Sequence, residues 1–289
     1  MSKRILLVGA SGQVGTACRA LAPGGIELLA LSHAELDIGD AARVAASVDE
    51  FKPGLIINTA AYTAVDKAET DIGGAQRGNV EGPRHLAAAA RAAGARLIHI
   101  STDFVFDGRA STPYAPEAAT APLGMYGATK AAGEEAVRAE LGDRAVILRT
   151  AWVYSATGNN FVRTMLRHMA RGPVRVVADQ VGTPTSAASL AQVIWRIAAE
   201  SAGGTHHWTD AGVASWYDFA VAIAEEAVAA GLIPGPVEVT PIATADYPTP
   251  ARRPAYSVLD KSATLRRFGL APVHWRTRLR EVIGELARI

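Results

Sequence analysis

The sequence predicts an α/β fold, a doubly wound parallel sheet with a smaller C-terminal region beside it. Three observations carry this. Short apolar runs alternate with helical patterns over the first 154 residues. The runs are continuous, as in strands covered on both faces, and do not alternate apolar with polar. The first run leads directly into a glycine-spaced turn and a helix.

In chain order, "RILLVG" (4–9) predicts a buried strand, followed by a helix from Gly12 to Leu21. "IELLAL" (26–31) and "LIINTA" (55–60) are the second and third strands, with a helix at 40–51 between them. A helix at 79–93 precedes the fourth strand, "ARLIHIST" (95–102). A helix carrying Tyr126 and Lys130 precedes the fifth, "AVILRTAWVY" (145–154). Beyond Tyr154 the pattern loosens into a helix at 158–172, a strand at 174–180 and amphipathic helices at 189–200 and 216–231. The loop 247–257 holds Pro248, Pro250 and Pro254, and that density excludes helix and central strand.

The chain has 289 residues, 49% hydrophobic and 20% charged, enough to bury a core without staples. A net charge of +1 with interspersed signs excludes a nucleic-acid backbone as partner. No apolar run reaches the ~20 residues of a membrane span. The N-terminal apolar stretch is short and ends in glycines, unlike a secretory signal. The single cysteine, Cys18, reads as a small buried hydrophobe and fits a reducing compartment, so a cytoplasmic location is expected.

"LLVGASGQVG" (6–15) places Gly9, Gly12 and Gly15 between a strand and a helix start. Glycines there permit a tight turn and close approach of backbone to a pyrophosphate, with the helix N-terminus aimed at it. The motif makes the sheet Rossmann-like and predicts a dinucleotide. The second strand ends at Ser32 and His33, with no carboxylate to repel a 2′-phosphate, which favours NADPH while allowing NADH. Asp37 and Ile38 could flank the adenine, although Asp37 serves equally as a capping or turn residue.

Tyr126 and Lys130 are four apart on a helix and share one face. A cation beside a phenol favours the phenolate, so Lys130 is expected to lower the Tyr126 pKa. Thr102 emerges at the carboxyl end of the fourth strand, where the reactive end of a bound cofactor would lie. His206 and His207 are adjacent and would face opposite sides of a strand, which suits structure and not metal binding.

These residues, with "INTAAYTAVDKAE" (57–69), "STDFVFDG" (101–108), "YGATKAAGE" (126–134), "LRTAWVY" (148–154), "DQVGTPT" (179–185) and "YPTPARRPAYSVLD" (247–260), resemble the extended short-chain dehydrogenase/reductases. Within them the chain resembles the dTDP-4-dehydrorhamnose reductase family nearly end to end. The resemblance implies NAD(P)H-dependent reduction of the 4-keto group of a dTDP-linked 6-deoxy sugar, with dTDP-4-dehydro-β-L-rhamnose as substrate. Thr102, Tyr126 and Lys130 would be catalytic. Gly9, Ser11, Gly12, Gln13, Val14, Asp37, Ile38, Ala60, Ala61, Tyr62, Ser101, Tyr126 and Lys130 would hold the cofactor. Thr63, Val65, Thr102, Asp103, Phe104, Tyr126, Trp152, Asn160 and Arg253 would meet the nucleotide sugar.

Trp152 could equally be a core aromatic, and Arg252 with Arg253 a solvated pair. Asn79 would stand behind the site. The resemblance divides the chain into an NAD(P)-binding domain over 1–152 and a mainly substrate-binding region over 153–289. The strand and helix at about 174–205 would return to the first domain. A homodimer is left open. Thr16, Ala17 and Cys18 stand where some relatives carry a Glu for a metal-linked dimer, so no metal is expected. Two departures matter: Phe104 replaces a usual Tyr, and Gly78 stands where an apolar residue is usual, which would loosen that helix start. Phe104 keeps another dTDP-4-keto-6-deoxy sugar open as substrate, and a non-catalytic regulatory subunit of the same fold is a further alternative.

Overall fold

A computed structural model describes residues 3–200 and 202–289. Met1, where the expected first domain starts, lies outside the described residues with Ser2 and Ser201. The first half runs β1 (Arg4–Val8), α1 (Gln13–Ala20), β2 (Glu27–Leu31), α2 (Ala41–Phe51), β3 (Leu55–Asn58), α3 (Val65–Ala68), α4 (Ile72–Gln76), α5 (Gly82–Ala92), β4 (Arg96–Thr102), α6 (Met125–Leu141) and β5 (Ala145–Thr150). The second runs β6 (Val153–Tyr154), α7 (Phe161–Met169), β7 (Val174–Val177), β8 (Val181–Gly182), β9 (Thr185–Ser186), α8 (Ala187–Ala199), β10 (Gly204–His207), β11 (Ala214–Ser215), α9 (Trp216–Ala229), β12 (Val239–Ile242), α10 (Ser262–Phe268) and α11 (Trp275–Leu286).

Six strands form the main sheet in the order β10-β5-β4-β3-β1-β2, every neighbour parallel. The winding reverses between β1 and β3, which opens a crevice at their carboxyl ends. The continuous apolar runs follow from burial on both faces. Ile5, Leu7, Leu55, Ile57, Ile98, Val146 and Leu148 join Cys18 of α1 and Leu190, Val193 and Ile194 of α8. Their neighbours Leu6, Val8, Ile56, Leu97, Ala145 and Ile147 turn to Val44 and Val48 of α2, Leu86 of α5 and Val137 of α6. Full burial of each such side chain contributes about 1.5–3 kcal/mol.

A second core of Phe219, Ile223, Trp275, Leu279 and Ile283 joins α9 and α11, with Val162 and Val176 beside it. Here β7 pairs in parallel with β12. Helix α8 packs on α1, and β10 extends the main sheet beside β5. The proline loop crosses back to the first half, where its Arg253 meets Asp66.

Three elements differ from the sequence reading. The expected strand 145–154 breaks after Thr150, because Trp152 adopts a left-handed backbone (φ 48°) that cannot continue a ladder. The helix expected from 79 starts at Ile72 and runs through a π-helical segment, Arg77–Glu81, into α5. Gly78 fits that segment: a Cβ there would stand 3.1 Å from Tyr62 Cβ. The strand at 174–180 ends at Val177.

Candidate active site

A cleft of about 1680 Å³ opens over the carboxyl ends of β1, β3 and β4. Gly9 (φ 77°) makes the turn under it, and a Cβ there would lie 2.5 Å from Ala60 N. A Cβ on Gly15 would lie 2.2 Å from Gly9 O, so helix and loop meet backbone to backbone. Helix α1 starts at Gln13 with Gly12 as its cap and no side chain closing the end. Gly9, Ser11, Gly12, Gln13 and Val14 all line the cleft, a cradle of small residues and free N–H groups that suits a pyrophosphate. Gln13 Oε1 accepts from Ser155 Oγ and Asn160 Nδ2, both at 2.9 Å, and so ties this loop to the start of α7.

Asp37 and Ile38 line one end of the cleft, together with His33 just after the second strand and Arg77, which the sequence reading did not mark. Arg77 reaches Asp37 Oδ2 at 2.7 Å from the π-helical segment. The hydrogen bond from Arg77 holds the Asp37 carboxyl below its usual range. Ala60, Ala61 and Tyr62 follow β3 along the cleft. Buried Asn79 clamps that turn: its Oδ1 accepts from Tyr62 N, and its Nδ2 donates to Tyr62 O and Thr129 Oγ1.

Thr102, Tyr126 and Lys130 converge on the same wall. Helix α6 reaches the end of β4 because residue 127 is Gly: a Cβ there would lie 2.2 Å from Phe104 O. Glu69 Oε1 accepts from Met125 N and fixes the first turn. Thr102 Oγ1 accepts from Phe104 N and donates to Asp103 Oδ1 at 3.0 Å, and its hydroxyl also acts on the Tyr126 phenol.

The charge balance differs from the sequence reading. Burial pushes Tyr126 up to about 12, against the pull of Thr102, and the nearby Asp103 raises it further. Lys130 is not among the groups that shift the phenol: its Nζ donates to Ile100 O at 2.6 Å, with His99 Nε2 at 3.5 Å. Burial lowers Lys130 itself to about 8, while Glu134 opposes the shift. A phenol held protonated is the form a proton donor requires.

Ser101 also lines the cleft and donates to Glu134 Oε1, behind this wall, at 2.5 Å. Arg149 grips the same carboxylate through Nε and one terminal nitrogen, at 2.9 and 2.7 Å, and Arg138 adds a fourth bond at 2.7 Å. Burial alone would raise the Glu134 pKa, but Arg149, Ser101 and Arg138 hold it below its usual value.

Thr63, Val65, Asp103, Phe104, Trp152 and Arg253 line the other half of the cleft. Phe104 stands edge-on to the Tyr126 ring, centroids 5.5 Å apart. Trp152 stacks on Trp216 at 3.5 Å, and Phe161 closes on Trp216 at 4.6 Å, forming an aromatic wall. Arg253 is held by Asp66 in a two-point pair at 3.1 and 2.8 Å.

Two residues are not brought to the wall. Asn160 caps α7, accepting from Arg163 N, while its neighbours Asn159 and Phe161 face the cleft. Arg252 is exposed outside it. Arg171 and Arg175, unmarked in the sequence, line the far end beside His168. His207 is buried on β10 and His206 half-buried, both away from the cleft. Among the described residues no three His, Cys, Asp or Glu side chains cluster as metal ligands.

A parallel sheet with a dinucleotide crevice and a Thr–Tyr–Lys set at its reactive end defines an oxidoreductase of the short-chain dehydrogenase/reductase type. The family model described as RmlD substrate binding domain matches residues 3–288, and the chain belongs to that family. It is similar to the dTDP-4-dehydrorhamnose reductase of Aggregatibacter actinomycetemcomitans, 42% identical, with 96% of this chain and 98% of the relative covered. It is also similar to a probable dTDP-4,6-dihydroxy-2-methyloxan-3-one 4-ketoreductase of Streptomyces antibioticus, 45% identical, with 98% and 95% covered. The crystal structure of the Bacillus anthracis dTDP-4-dehydrorhamnose reductase in complex with NADP superposes with a TM-score of 0.92 at 36% identity, covering 99% and 100% of the two chains.

Proposed function

We propose that this chain is an NADPH-dependent reductase of the 4-keto group of dTDP-4-dehydro-β-L-rhamnose, giving dTDP-L-rhamnose. The observation that carries it is the convergence of Thr102, Tyr126 and Lys130 in one cleft of about 1680 Å³ that is lined by the glycine cradle and by the Trp152–Trp216 wall. When bound, NADPH supplies the hydride for the carbonyl carbon. Tyr126, kept protonated by burial, gives its phenolic proton to the carbonyl oxygen. Thr102 Oγ1 offers a hydrogen bond to the same oxygen where negative charge develops. Lys130 orients beside the ribose hydroxyls.

Gln13 and Val14, at the open start of α1, offer backbone N–H groups to the pyrophosphate, while Gly9 and Gly12 let it approach the loop. Arg77 meets a 2′-phosphate, for which guanidinium suits bidentate contact. The Trp152–Trp216 wall presses on the apolar face of the sugar. Arg171, Arg175 and Arg253 balance the diphosphate charge. No described helix is long and apolar enough to cross a membrane. A single cysteine, Cys18, buried as a free thiol, fits a reducing cytoplasmic setting.

A second reading rests on Phe104. It sets an apolar ring in a T-shaped contact with Tyr126 and offers no hydroxyl to a sugar oxygen. A related dTDP-4-keto-6-deoxy sugar suits that wall, as the Streptomyces relative's name suggests. Comparing kcat/KM for the two keto sugars decides between the readings: a preference of tenfold or more for dTDP-4-dehydrorhamnose supports the first, and the reverse order supports the second.

A further inference from the structure

Behind Lys130 lies a buried polar file that the proposed reaction does not use. Asn58 on β3, His99 on β4 and Lys130 on α6 are all at most 2% exposed. Their roles are fixed from one end. Ala60 N–H donates to Asn58 Oδ1 at 3.0 Å, so the amide cannot be turned round without losing that bond. Asn58 Nδ2, which can only donate, therefore faces His99 Nδ1 at 2.9 Å. Nδ1 must accept. A neutral imidazole with an accepting Nδ1 carries its proton on Nε2. Burial, then the charge of Lys130 and of Arg138, keeps His99 neutral, well below its usual 6.5.

That Nε2–H points at Lys130 Nζ, 3.5 Å away. An ammonium has no lone pair to accept it, whereas a neutral amine has one. Ile100 O takes an N–H from Nζ on the other side. We propose that Asn58 and His99 are positioning residues that hold Lys130 between one acceptor, Ile100 O, and one donor, His99 Nε2–H, a setting matched to its neutral amine.

The remaining groups around Lys130 do not supply this bias. Glu134, one turn along α6, favours the ammonium, but its carboxylate is engaged by Arg149 of β5 and by Arg138. Tyr126, one turn back, is held neutral, and Asp103 after β4 is turned to Thr102. The pair therefore adds to burial in favouring the neutral amine, and shifts the pH at which a cation exists beside the cofactor ribose. This consequence rests on the reductase reading, but the pairing can be read without any substrate.

The test is nuclear magnetic resonance on the intact chain without cofactor. Long-range proton–nitrogen spectra of 15N-histidine protein report the His99 tautomer directly. Only five lysines, Lys3, Lys52, Lys67, Lys130 and Lys261, contribute to a 13Cε-lysine titration. The expected result is a neutral His99 with its proton on Nε2, and a Lys130 midpoint near 8. In His99→Phe the midpoint should rise by about one pH unit, since the donor is lost while the bulk remains. A proton on Nδ1 in the unmodified protein would overturn the proposal whether or not the variant folds. So would a Lys130 midpoint that His99→Phe leaves unmoved. A correct tautomer with no keto-sugar turnover would instead count against the reductase reading alone.

Discussion

Asp37 and Arg77 stand 40 positions apart in the chain and meet at 2.7 Å on the cleft wall. The pair holds a guanidinium on the cleft wall, where the proposed reading puts the 2′ position of the dinucleotide's adenosine. Removing it should cost NADPH a charge-assisted contact and NADH little. Arg77→Ala is expected to raise KM for NADPH about tenfold or more, with KM for NADH nearly unchanged. Steady-state kinetics with each cofactor checks this. An equal rise for both would show that Arg77 only supports the fold.

Buried Asp103 gives a pH signature. Burial, opposed by Ser257 and Thr102, raises its pKa from 3.8 to about 6. Between these values the folded chain holds a proton that the unfolded chain has released. The contribution to stability is present below about pH 4 and is lost as pH rises through about 6, a fall of at most about 3 kcal/mol. Asp103→Asn keeps an acceptor for Thr102 but cannot ionise. Its stability relative to the parent should therefore increase between pH 4 and pH 7 in urea titrations, and a constant difference across that range would contradict the assignment.

Glu134 and Arg149, 0% and 3% exposed at their side chains, form the charge pair under the active-site wall. Arg149→Met would leave the carboxylate with Arg138 and Ser101 only. Loss of one partner of a buried pair costs about 3–5 kcal/mol, so the denaturation midpoint should fall markedly. The double variant Arg149→Met, Glu134→Leu should recover part of the loss, because both charges are then gone. A single variant as stable as the parent would show that the pair contributes nothing.

The sheet was legible in the sequence because strands buried on both faces leave continuous apolar runs, and β1, β3, β4 and β5 all show one. The phosphate loop was legible because only glycine meets the backbone of Ala60 and of Gly9 so closely. Tyr126 and Lys130 were visible as neighbours on a helix, but helical spacing says nothing of where an ammonium turns. It turned to Ile100 O, and the expected lowering of the phenol became a rise. The break after Thr150 was hidden, because Trp152 looks like one more strand residue until its stacking on Trp216 is seen. Arg77, Arg171, Arg175 and Trp216 carry no local mark, and only the tertiary fold brings them to the cleft.

The deciding measurement is oxidation of NADPH by the chain supplied with dTDP-4-dehydro-β-L-rhamnose, beside Tyr126→Phe and Thr102→Val. Turnover is expected in the parent chain. It should fall by about 10²–10⁴-fold without the Tyr126 proton and by about 10²-fold or more without the Thr102 hydroxyl, while NADPH binding stays intact. A Tyr126→Phe variant that turns over as fast as the parent would contradict the assignment of the proton donor, and with it the proposed chemistry of the cleft.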